Sequence, residues 1–108
     1  MTWTVAFYSD RLEAEILALA AGIVARFVRY AEKMEQYGPD LGMPHSRAMG
    51  GSLFELRIKA PEGLARVFYC TIVNRRIVFL HKFTKTSDKT PLKELQVARA
   101  RMKEVKHG

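Results

Sequence analysis

Residues 53–83, LFELRIKAPEGLARVFYCTIVNRRIVFLHKF, decide the fold. In LFELRIK, Phe54, Leu56 and Ile58 alternate with Glu55, Arg57 and Lys59, which is the two-residue period of a strand with one apolar face. APEG then turns the chain. ARVFYCTIV and RIVFLHKF follow, rich in β-branched and aromatic residues and separated by Asn74 and Arg75, so the three segments form an antiparallel meander. Alternation along the last strand groups His81 with Ile77, Phe79 and Phe83 and turns Lys82 the other way, with Arg76 and Thr84. Downstream, Thr90 is placed to cap and Pro91 to open a helix with Leu92, Leu95, Ala98, Met102 and Val105 on one side.

Upstream of the meander the period changes. TWTVAFYS alternates Trp3, Val5 and Phe7 with Thr2, Thr4, Ala6 and Tyr8 and reads as a first strand. Asp10 with Glu13 resembles a helix-opening cap, and RLEAEILALA supplies strong helix formers. Ile23, Phe27, Tyr30, Ala31 and Met34 make a helical stripe that GPD at 38–40 ends, while Gly22 either separates two helices or sits within one. Residues 38–51 read as a Gly/Pro-rich connection. The expected order is β-α-(α)-β-β-β-α, an α+β fold with a mainly antiparallel sheet packed against helices, over a single domain spanning residues 1–108.

Composition sets the limits of function. The chain has 108 residues, 48% of them apolar and 27% charged, within the range of a globular domain. One cysteine, Cys70, excludes an internal disulfide and reads as a small buried apolar residue, and no Cys/His set offers a structural zinc site. No basic leader precedes an apolar run, and no stretch reaches the ~18 apolar residues of a membrane span, so a soluble cytoplasmic protein without metal or cofactor is expected. The Gly50–Ser52 triplet lacks the spacing and lysine of a phosphate loop. Net charge is +7, and it is segregated: residues 1–50 carry five Lys/Arg against six Asp/Glu, residues 51–108 thirteen against five. A one-sided positive excess suits a polyanion, nucleic acid first and an acidic protein second.

The series LFELRI, RVFY, RRIVFLHKF, K…KTP and ELQVARARM, in that order and spacing, resembles the RelE/HigB-like superfamily of toxins, in its phage-derived HigB-like branch. The resemblance implies a RelE-like fold and an endoribonuclease toxin of a type II toxin–antitoxin pair, acting on messenger RNA at the ribosome and leaving 2′,3′-cyclic phosphate ends. It also implies an antitoxin partner, expected to be a helix-turn-helix protein. Oligomeric state is not fixed by any of this.

Cleavage without a metal requires removing the proton of the ribose 2′-hydroxyl, neutralising charge on the phosphoryl oxygens and protonating the leaving oxygen. Arg57 and Arg66 lie on consecutive strands joined by APEG, and two rigid guanidinium forks there can hold one phosphate if their side chains share a face. The family comparison puts basic site residues at these two positions, and each is otherwise a solvated surface charge. Glu55, on the same face, is either a general base or the partner of an arginine in a cross-strand pair, and related toxins often carry a basic residue there. Lys85 completes the expected catalytic set. Lys59, Lys82 and Lys89, with Arg99 and Lys103 on the last helix, form the expected RNA-contacting group; Arg99, Lys103 and Lys106 make a basic stripe opposite Leu95 and Met102. His81 is a general acid or base by its ordinary pKa of about 6.5, or a hydrogen-bonded core histidine. Tyr8, Phe68 and Tyr69 either stack on bases or fill the core. Thr86 stands where the family commonly has a second basic residue after Lys85. A basic module that binds RNA or antitoxin without catalysis is the alternative reading.

Overall fold

A computed structural model describes residues 2–84 and 90–107. Strand β1 spans Thr4–Phe7, helix α1 Asp10–Leu17, helix α2 Ala21–Tyr37, β2 Ser46–Gly50, β3 Leu53–Ala60, β4 Gly63–Ile72, β5 Arg76–Thr84 and helix α3 Leu92–His107. The sheet runs β1-β5-β4-β3-β2, with β1 parallel to β5 and every other neighbour antiparallel. The fold is α+β, and the sheet is covered on both faces. On one, Leu12 and Ile16 of α1 and Ile23, Phe27, Tyr30 and Met34 of α2 pack over Leu56, Val67, Tyr69, Ile77 and Phe79. On the other, Leu95, Ala98, Met102 and Val105 of α3 cover Leu53, Phe68, Cys70, Val78, Leu80 and Phe83.

Local chemistry accounts for most boundaries. Residues 73–75 connect β4 to β5, with φ of 66° at Asn74 and 55° at Arg75, so two of the three connecting residues are left-handed. Arg75 also receives the Thr4 N–H on its carbonyl at 2.9 Å, and its guanidinium lies 5.7 Å from the Trp3 ring, so the turn holds the start of β1. Gly22 falls in the first turn of the second of two helices. The N-cap of that helix, Ala20, has no side chain to offer, and the exposed Glu62 carboxylate accepts the Gly22 N–H at 2.8 Å instead, an anion at the positive helix end.

Four sequence expectations change. The cap of α1 is Ser9, whose hydroxyl accepts the Leu12 N–H at 3.1 Å; Asp10 is the first helical residue. The 38–51 connection contains a strand, β2, paired with β3 and bulged between Ala48 and Gly50. Serine, arginine and glycine give this edge strand no apolar alternation to recognise. A register shift between Phe68 and Tyr69 leaves Leu80 as the extra residue on β5, so Phe79 opposes Tyr69 and His81 opposes Phe68. His81 and Phe83 therefore lie on the α3 face, apart from Ile77 and Phe79. Finally, Leu92 is 67% exposed and does not join the apolar side of α3.

Candidate active site

Strand register brings three of the expected residues together. Arg57 is directly opposite Arg66 across β3 and β4, and Glu55, opposite Phe68, lies diagonally from Arg66 on the same face. Like charges at directly opposed positions repel, so the arrangement needs a compensating group. Glu55 supplies one: its Oε2 is 3.8 Å from Arg66 Nη1, with the two side chains 1% and 0% exposed. The Thr90 hydroxyl donates to the same Oε2 at 2.6 Å. Thr90 thus places its hydroxyl on Glu55, not on the start of α3, and ties the approach to that helix to β3. Arg66 further lies 5.9 Å from the Phe83 ring. Arg57 is half-buried and extends this cluster toward the open side of β3.

Burial of Arg66 was not anticipated from its strand position. The signal was present in the run Val67–Cys70 that follows it, because continuous apolar residues along a strand mark one covered on both faces. A guanidinium stays ionised at any ordinary pH, so Arg66 holds a permanent positive charge inside the protein beside a carboxylate.

A second polar group flanks the first. His81 Nε2 is 2.8 Å from Glu94 Oε1 of α3, both partly exposed, so His81 is a hydrogen-bonded residue at the helix–sheet junction. Arg101 donates to the Leu80 carbonyl at 2.8 Å and lies 4.6 Å from the Tyr8 ring. The Tyr8 hydroxyl donates to Glu104 at 2.9 Å, and that bond raises its pKa above the ordinary tyrosine value.

The remaining expected residues scatter. Lys82 opposes Val67 and lines a cavity with Ser9, Arg11 and Glu15 on the α1 side, away from Arg66. Lys59 opposes Leu64 near the end of the β3–β4 hairpin and lines the same cleft as Arg57. Arg99 donates to the carbonyls of Met49, at 2.8 Å, and Gly50, at 3.5 Å, and Lys106 reaches the Gly51 carbonyl at 3.3 Å; these side chains clamp the β2–β3 turn. Lys103 faces solvent on α3. Lys85, Thr86 and Lys89 lie outside the described residues. Phe68, Tyr69 and Cys70 are core residues, and burial pushes the Cys70 thiol up to about 11. Among the described residues no three His, Cys, Asp or Glu side chains converge as metal ligands, and no helix is long and apolar enough to cross a membrane.

Comparison with known proteins fits this geometry. No curated protein sequence matches the chain. A mutant of the E. coli toxin RelE, solved in the free state, superposes with a TM-score of 0.68 over 94% of this chain and 99% of that one, at 10% sequence identity, which establishes a shared fold. Residues 14–103 match the family described as phage derived protein Gp49-like (DUF891). With most of its length matched, the chain belongs to the Gp49-like phage-derived family, and its fold is the one seen in RelE.

Proposed function

We propose that this protein is the toxin of a type II toxin–antitoxin pair, an endoribonuclease that cleaves messenger RNA on the ribosome in the cytoplasm and is silenced by a cognate helix-turn-helix antitoxin. One observation carries the reading beyond family and fold. Two arginines stand directly opposed on neighbouring strands, a pair of guanidinium forks on rigid backbone of the kind that suits an RNA phosphate. In this scheme Arg57 and Arg66 bear the charge that builds on the phosphoryl oxygens as the 2′-oxygen attacks. Glu55 and Thr90 hold Arg66 in place, and Lys85 adds positive charge from the segment that follows β5.

The burial of Arg66 and Glu55 favours the second reading, a module that binds RNA or antitoxin without cutting, since a phosphate reaches Arg66 only after side chains above it move. Induced expression in bacteria separates the two. The nuclease reading expects growth arrest and new messenger RNA ends with the wild type, and neither with Arg57→Ala. Salt-sensitive RNA binding without new ends selects the binding module.

A further inference from the structure

Strand β2 accompanies β3 only as far as the Ser46–Leu56 pair, after which the Arg57 N–H donates to the His45 carbonyl at 2.8 Å. Beyond that point a cleft of about 620 Å³ opens between the margin of β3 and α2, within the ~300–1,000 Å³ typical of ligand sites. Arg26 and Tyr30 of α2, Pro44 and His45 of the preceding loop, and Arg57 and Lys59 of β3 line it, and among the described residues none of its lining is acidic. Tyr30 is anchored in the core at 8% exposure, and its ring lies 5.1 Å from that of the exposed His45. The two rings are tilted by 41°, so the fixed Tyr30 ring rests against an imidazole that stays exposed.

We infer that this cleft is a nucleotide subsite for single-stranded RNA, in which a base stacks on His45 while Arg26 and Lys59 hold the phosphates on either side. The inference rests on the nuclease or RNA-binding reading above, because Arg57 belongs to both the buried cluster and the cleft. An unstacked base offers a π-face of any sequence, and a flat ring held beside three cations is the arrangement that recognises it. An acidic protein segment would meet the same cations but would gain nothing from the ring.

Anisotropy of a labelled single-stranded RNA hexanucleotide, titrated with full-length protein at several salt concentrations, tests this. His45→Ala is expected to weaken binding by roughly 5- to 150-fold, the usual value of one stacked base, while His45→Phe retains it. Arg26→Gln should flatten the salt dependence by about 0.7 of a logarithmic unit per logarithmic unit of salt. If His45→Ala and Arg26→Gln bind as the wild type does while Arg57→Ala does not, the subsite is wrong and the proposed function stands. Displacement of the RNA by polyglutamate of equal charge with equal affinity overturns the subsite in favour of a protein partner. A wild type that neither binds RNA nor generates messenger RNA ends removes the underlying reading and the subsite with it.

Discussion

Replacing Glu55 by glutamine probes the buried cluster with the least disturbance. The amide preserves the side-chain volume and an oxygen for the Thr90 hydroxyl, now 2.6 Å from Oε2, but removes the charge 3.8 Å from Arg66. Arg66 is fully buried and cannot escape by losing its proton. Removing one partner of a buried ion pair costs ~3–5 kcal/mol, because a buried charge loses a compensating group. At the lower end of ~4–8 °C per kcal/mol for a small domain, the melting temperature should fall by ~12–20 °C. Replacing both charges, as in Glu55→Leu with Arg66→Met, should recover most of that loss, since apolar packing at such sites is often neutral or better. Thermal unfolding followed by circular dichroism measures all three proteins. A loss below ~4 °C for Glu55→Gln, or a double variant worse than the single one, would show that another group carries the charge of Arg66 and that the proposed positioning role of Glu55 is mistaken.

Three further outcomes follow from the same structure. A Cβ at Gly22 would collide with the Glu62 carboxylate, so Gly22→Ala should destabilise the wild type yet become neutral or gain up to ~1 kcal/mol of helix propensity in a Glu62→Ala background, a sign change that a urea double-mutant cycle detects. Tyr69 is buried with its hydroxyl 2.6 Å from the Pro39 carbonyl, and desolvation raises its pKa; its contribution is complete below pH ~10 and is lost above it, because only the unfolded chain releases the proton. The urea midpoint should thus fall more steeply above pH ~10 for wild type than for Tyr69→Phe, and equal slopes would contradict the burial. Cys70, a thiol held at about 11 by burial, should resist a disulfide reagent at neutral pH until urea unfolds the chain; labelling at the rate of a free thiol under native conditions would contradict its core position.

How far the sequence disclosed this molecule depended on whether a feature was local. The meander from Leu53 to Phe83 was legible from its β-branched and aromatic runs between turns, and the stripe Ile23–Phe27–Tyr30–Met34 because period and burial agree in it. Strand β2 was not, since Ser46, Arg47 and Gly50 form a strand only through pairing with β3. The bulge at Leu80, which moves His81 to the α3 face and leaves Lys82 on the α1 side, has no residue that announces it and arises from the match between β4 and β5. At the site, alternation put Glu55 and Arg57 on one face, while the place of Arg66 was open until the β3–β4 register set it opposite Arg57. That Arg66 and Glu55 would both be buried, with Thr90 bonded to Glu55, was a tertiary fact. The use of Arg99 and Lys106 on the β2–β3 turn was equally hidden, because a basic stripe on a helix reads the same whether it meets RNA or a loop carbonyl.

In the proposed function the charge of Arg57 and Arg66 serves attack of a ribose 2′-oxygen on its own phosphate. The most direct test is the chemistry of the RNA ends made when the protein is induced, read by ligation that distinguishes 2′,3′-cyclic phosphate from 3′-hydroxyl. Cyclic phosphate ends that appear with the wild type and vanish with Arg57→Ala are the predicted result. Ends bearing a free 3′-hydroxyl, or cyclic phosphate ends equally abundant with Arg57→Ala, would contradict it.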